Sequence, residues 1–132
     1  MIGLDTNVLV RYVLHDDENQ FKLASQLIQQ SIKQNQIIVI HLLVIQETEW
    51  VLRSVAKRNK AEIIYLFKSL LETAKVLIES EDILEQALLS FENSNAGFSD
   101  CLMIAQYRHM GCNHMATFDR NAAKVEGTLL LG

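Results

Sequence analysis

Ile37-Ile38-Val39-Ile40 is the stretch that most constrains the fold. A continuous β-branched run has no polar face to turn to water, so it fits a strand buried on both faces of a parallel sheet. Parallel neighbours need long crossovers, usually helices, and segments of that kind flank the run on both sides. Ahead of it, Phe21, Ala24, Leu27, Ile28 and Ile32 recur at helical spacing, after a helix start at Asp17-Glu18-Asn19-Gln20. Behind it, Leu42 to Lys57 reads as mostly helical, with Leu43, Val44, Trp50, Val51 and Val55 among its apolar members. Lys60 to Ala74 is a further helix, in which Ile63, Ile64, Leu66, Phe67, Leu70 and Leu71 form one broad face.

The same alternation extends to both ends. Met1 to Leu4 predicts a buried strand that emerges at Asp5, followed by a short helix over Val8 to Leu14, which His15-Asp16-Asp17 breaks. Val76-Leu77-Ile78 is a short strand. Ser80 is placed to cap a helix whose buried stripe is Ile83, Leu84, Ala87, Leu88 and Phe91. After a polar loop, Ser99 caps a helix that opens Asp100-Cys101-Leu102-Met103-Ile104-Ala105; being apolar nearly all round, it should be deeply buried. Gly111 is its expected C-cap. His114 to Phe118 reads as a strand ending at Asp119, Asn121-Ala122-Ala123 as a helical turn, and Leu129-Leu130-Leu131 as an edge strand. Alternating strands and helices mean an α/β fold with a parallel sheet covered on both faces, and 132 residues suit one domain over 1–132.

Bulk charge narrows the function. Twelve Lys and Arg against sixteen Asp and Glu leave −4, which argues against binding nucleic acid by overall charge. A local basic patch beside an acidic site stays open. The two cysteines, Cys101 and Cys112, form no C-x-x-C pair, and no secretory signal precedes the first strand, so they read as reduced thiols of a cytoplasmic protein. No apolar run reaches membrane-spanning length.

The acids carry the chemistry. Asp5 and Asp119 sit at strand ends, where ligands of open α/β sheets bind. Asp5 alone has two readings, a helix N-cap or a functional acid. Asp100 opens a helix expected to be buried, and Glu47 lies in a strongly apolar helix. Burying several carboxylates together is costly, because each disfavours ionisation of the next. Either they face separate surfaces or a cation sits among them. Oxygen donors without His or Cys suit Mg2+ or Mn2+, and such an ion activates water for phosphoryl transfer.

Four stretches, GLDTNVLVRYVLHDD, VIQETEWVLRS, FSDCLMIAQYRHMGC and ATFDRNAAK, resemble in order the four signature stretches of PIN domains, in particular those of VapC-type toxins from bacterial toxin–antitoxin pairs. The likeness covers essentially the whole chain. It implies a three-layer α/β/α fold with a central, mostly parallel sheet and metal-dependent ribonuclease activity. Asp5, Glu47, Asp100 and Asp119 match the family's four acids, which bind Mg2+ or Mn2+ directly or through water. Asn7 matches a polar residue that supports the first acid, and Thr117 and Ser99 match small polar positions flanking the site. Glu49 competes for the second acid, but two positions along a helix point it elsewhere. His41 departs from the small polar residue or nearby proline common in relatives. The implied reaction is in-line hydrolysis of an RNA phosphodiester, leaving a 5′-phosphate and a 3′-hydroxyl.

Cations near these motifs are candidates to hold RNA: Arg11, Arg53, Lys57 and Arg120, with Arg58, Lys60 and Lys124 beside them. A solvated helix end explains the Arg53–Lys60 run equally well. His15-Asp16-Asp17 reads as a loop with capping acids, and Trp50, Phe67 and Phe91 as core or interface residues. The helices around Phe21 to Ile32 and Ile63 to Leu71 carry more apolar residues than one face needs, which fits a homodimer or a groove for an antitoxin helix. The leading expectation is a toxin ribonuclease with a protein antitoxin. Alternatives are a housekeeping RNA-processing PIN nuclease and a non-catalytic PIN binding module. A haloacid-dehalogenase-like phosphatase ranks low, since its D-x-D motif would need an acid where Asn7 stands.

Overall fold

The β-branched run is the middle strand of a three-stranded parallel sheet in the computed structural model, which describes residues 1–132. The chain forms two units, Met1–Glu79 and Ser80–Gly132. In the first, β1 (Ile2–Gly3) leads through α1 (Thr6–Leu14) and α2 (Glu18–Lys33) to β2 (Ile38–Ile40), then through α3 (Leu42–Ser54) and α4 (Lys60–Glu72) to β3 (Val76–Ile78). The sheet order is β1-β2-β3, with Ile2 opposite Ile38 and Ile38 opposite Val76. Ile38, Ile40 and Ile78 are almost fully buried. Helices flank the sheet: α2 packs on β2, α4 on β3, and α1 on both α2 and α3. This is the expected α/β architecture with parallel pairing.

β1 is slighter than expected. Only Ile2 and Gly3 are strand, Ile2 is half-buried and Gly3 exposed, because this strand is the edge of its ladder and Gly3 has no side chain to bury.

Helix ends in this unit follow the polar residues. Asp17 caps α2 by accepting the Gln20 N–H at 3.0 Å. Asn59 and Glu62 form a reciprocal capping box on α4. Along α3 the inward face is Leu42, Ile45, Thr48, Glu49 and Leu52. Leu43, Trp50 and Val55 point to solvent at 54%, 55% and 64% exposure, so that Trp50, expected in the core or at an interface, is not a core residue. Apolar residues occupy so many positions of α3 that spacing alone does not choose the buried stripe. Phe67 and Phe91 are buried as expected.

The second unit runs α5 (Glu81–Glu92), α6 (Phe98–His109), β4 (Met115–Thr117), a 3-10 turn (Ala122–Lys124) and β5 (Thr128–Leu130). α5 and α6 pack together, and β4 pairs with β5 in parallel. The α5 stripe of Ile83, Leu84, Ala87, Leu88 and Phe91 is buried as predicted. Ser80 stands at the N-cap of α5 but in a left-handed conformation, and its side chain makes no cap bond; its carbonyl accepts from Ile83 and Leu84 instead.

α6 departs from expectation twice. Its N-cap is Gly97, not Ser99, because Phe98 already belongs to the first turn and is buried there. Burial also stops halfway: Phe98, Cys101, Leu102, Ile104 and Ala105 are inside, whereas Met103 and Tyr107 are 41% and 42% exposed. The helix closes on Gly111 (φ 95°), whose N–H bonds to the Arg108 carbonyl while that of Cys112 bonds to Tyr107. That double bond pattern is a Schellman ending, and its left-handed position suits a residue without Cβ. Neither cysteine is in a disulfide; Cys101 is buried and Cys112 exposed. No helix is long and apolar enough to cross a membrane.

Candidate functional site

Asp5 stands two residues beyond β1, at the carboxyl end of the sheet, and is exposed. Its Oδ1 accepts the Thr6 N–H at 2.8 Å, and its carbonyl accepts from Val8 and Leu9. It is therefore the N-cap of α1, but an exposed one. The capping and functional readings are compatible, since an anion at a helix start is favoured in either. Asn7 lies in the first turn of the same helix and is exposed.

On α3 the two glutamates separate cleanly. Glu47 is exposed. Glu49 is 1% exposed and belongs to the core. Arg53 meets it one turn on, with Nε donating to Glu49 Oε2 at 2.9 Å and Nη2 to Oε1 at 3.4 Å. The hydrogen bond to Glu49 pushes the Arg53 guanidinium further above its ordinary range, against the opposing effect of partial burial. The apolar burial expected around Glu47 thus falls on Glu49, whose charge is matched inside the fold. Glu47 is left reachable by a ligand. Within the first unit, the helices that carry Asp5 and Glu47 pack against each other.

In the second unit Asp100 and Asp119 feel one another. Asp100 is half-buried in the first turn of α6, and Ser99 beside it is half-buried too. Its carboxyl is raised above the usual carboxylate range, first by desolvation and then by the charge of Asp119. Asp119 itself is held in a tight polar turn. Its N–H donates to Thr117 Oγ1 at 3.0 Å, and its Oδ1 accepts the N–H groups of Asn121 at 2.8 Å and Ala122 at 2.9 Å. Thr117 therefore holds the backbone of Asp119, and the 3-10 turn holds one carboxylate oxygen. Two carboxylates, one desolvated and one fixed, suit a hard divalent cation that would relieve their repulsion. Within neither unit do three or more His, Cys, Asp or Glu side chains converge into a ready-made cage.

The candidate RNA-contacting cations divide by whether they are already engaged. Arg11 bonds to Gln20 and pairs with Asp16 at 3.1 Å. Arg53 is held by Glu49, and Arg58 pairs with Glu62 at 3.3 Å. Lys57 and Arg120 are exposed. His15, Asp16 and Asp17 do not gather as a metal site. His15 pairs with Glu18 and stacks on Phe21, Asp16 holds Arg11, and Asp17 caps α2.

Two features escaped the sequence reading. Glu49–Arg53 was readable from its i,i+4 spacing, which supports ion pairs on a helix. Glu79 directly follows β3, as Asp5 follows β1, and its Oε1 accepts the Leu42 N–H at 2.9 Å. Its signal was the same as that of Asp5, an acid at a strand end.

The family model for the PIN domain matches residues 2–127 of the chain. No curated protein matches it.

Proposed function

The chain belongs to the PIN domain family, whose members are generally metal-dependent nucleases, and on that premise we propose that it is an Mg2+- or Mn2+-dependent endoribonuclease. We take residues 1–132 as one PIN domain, because the match runs through both units. Asp5, Glu47, Asp100 and Asp119 are the metal-holding acids of this reading. The assignment rests on the order and spacing of the motifs along the chain. What supports it in the structure is the nearness of Asp119 to Asp100, whose half-buried carboxyl is raised by desolvation and by the charge of Asp119. A fold tolerates such a pair at a cost, and a cation bound there offsets that cost.

A divalent ion in this setting supplies a Lewis acid for the phosphodiester and a water of lowered pKa. The protein's own groups do the rest. Thr117 and the Asn121 and Ala122 amides hold Asp119 in place. Asn7 and Ser99 are proposed to support Asp5 and Asp100 from neighbouring positions. Lys57 and Arg120, with Arg11 and Arg53 more weakly because each already has an acidic partner, are proposed to hold backbone phosphates. No side-chain nucleophile is required.

We further propose that this nuclease is a VapC-like toxin working in the cytoplasm with a protein antitoxin, and that it forms a homodimer. The resemblance of the four motif stretches supports this. So does a groove of about 300 Å3 lined by Asn7, Val8, Arg11, Gln20, Leu23, Ala24 and Leu27, in which Leu23 is 68% exposed. A helix with an apolar face suits such a groove. A housekeeping RNA-processing nuclease would share the site and lack the inhibitor.

The test is cleavage of total cellular RNA by the purified protein with Mg2+, Mn2+ or EDTA, beside an Asp5→Ala, Asp100→Ala double variant. Cleavage is expected with metal and not with EDTA, and the double variant should be inactive. Full activity in the double variant would overturn the reading. Metal uptake with no cleavage, or neither, would favour a non-catalytic binding module.

A further inference from the structure

The carboxyl edge of the three-stranded sheet carries one polar side chain per strand. The ladder sets Ile2 opposite Ile38 and Ile38 opposite Val76. Three residues further along the chain are Asp5, His41 and Glu79, each just past the end of its strand. Backbone pairing continues to Glu79, whose N–H donates to the Ile40 carbonyl at 2.9 Å, and on the β1 side ends one residue short of Asp5, at Leu4, whose N–H donates to the Val39 carbonyl at 3.1 Å.

His41 and Glu79 are tied to the same helix start. Glu79 Oε1 accepts the Leu42 N–H at 2.9 Å and lies 3.4 Å from His41 Nε2. His41 Nδ1 accepts the Leu43 N–H at 3.1 Å, which leaves Nε2 as the nitrogen carrying hydrogen toward Glu79. The first free N–H groups of α3 are thus met from two directions, one by its own cap residue and one from the end of β3. An ordinary Ser or Asp cap would meet such groups locally. Glu79 does more, because it ties the helix to the neighbouring strand. A carboxylate at this end also suits the helix dipole. α3 begins immediately after His41, one residue beyond β2, so the chain has little slack there. Glu47 rides the second turn of that helix.

We propose that Glu79 is a positioning residue for Glu47. With His41 it clamps the first turn of α3 to the carboxyl end of β3, and so sets where the helix presents its metal-holding acid. The inference rests on the reading of Glu47 given above. It assigns Glu79 no contact with metal or RNA.

The test compares four proteins in two assays, steady-state RNA cleavage and Mn2+ titration. They are the wild type, Glu79→Ala, Glu79→Gln and Asn59→Ala. Asn59→Ala removes a cap from α4 and serves as the stability control. Glu79→Ala is expected to lower kcat about 10-fold with KM little changed, and to weaken Mn2+ binding by a similar factor. Glu79→Gln keeps an oxygen for the Leu42 N–H and should stay within about 3-fold of wild type. Asn59→Ala should leave both readouts unchanged. A Glu79→Ala protein that matches Asn59→Ala in both overturns the proposal. Should Glu79→Ala not fold, His41→Ala removes the local half of the clamp; a fall of about 3-fold in kcat and Mn2+ affinity supports the proposal, and no change overturns it. If the wild type cuts no RNA, the nuclease reading fails and the Mn2+ titration alone decides the clamp. If it also takes up no Mn2+, both fall.

Discussion

Glu47 and Glu49 are two positions apart on one helix and meet opposite environments, one open to water and one 1% exposed against Arg53. The pair makes an asymmetric prediction. Arg53→Ala strands a buried carboxylate and should destabilise the fold by about 1–3 kcal/mol. Glu49→Met replaces the charge with an apolar side chain of similar length and leaves only a half-exposed guanidinium unpaired, so stability should stay within about 1 kcal/mol of wild type. Urea midpoints at constant m-value measure both; equal losses would contradict the assigned roles. The i,i+4 spacing of Glu49 and Arg53 was visible in the sequence. The inward turn of that face was not, because α3 offers apolar residues on nearly every side and spacing cannot rank them. His41 stands in plain view at the approach to α3, yet its partner Glu79 lies far along the chain, and only strand register brings the two together.

α6 shows how a helix start can make an acid costly. Asp100 sits in its first turn, where the dipole favours a carboxylate, yet burial and Asp119 raise its pKa. Between the ordinary carboxylate value and that raised value, the folded chain binds more protons than the unfolded one. Stability therefore falls as pH rises through that window and recovers as pH drops. At neutral pH in EDTA, Asp100→Asn should melt at a higher temperature than wild type. With Mn2+ added, the wild type should gain more than the variant, because only it keeps the full donor set. An Asp100→Asn protein that melts lower in EDTA would show that Asp100 stabilises the metal-free fold. The far end of α6 was legible in advance, since Gly111 is the residue a left-handed ending needs. The near end was not: Ser99 is a good cap by type, but burial of Phe98 pulls that residue into the helix and moves the cap to Gly97.

At the scale of the whole chain, the alternation of β-branched runs and amphipathic segments was enough to predict parallel pairing, and every strand pair here is parallel. The split into ladders of three and two strands was not legible. Strands of two or three residues carry too few positions to show which neighbour they take. The four motif acids are proposed as a set from their order along the chain alone, two in each unit. With a net charge of −4, the proposed reading has RNA held by local cations and a bound ion rather than by bulk attraction. The account therefore stands on metal-dependent hydrolysis, and the termini of the products report it most directly. Ligation-based mapping of RNA ends after cleavage should find 5′-phosphates and 3′-hydroxyls that appear with Mg2+ or Mn2+ and vanish in EDTA and in Asp100→Asn. Ends bearing 5′-hydroxyls and 2′,3′-cyclic phosphates that persist in EDTA would contradict it.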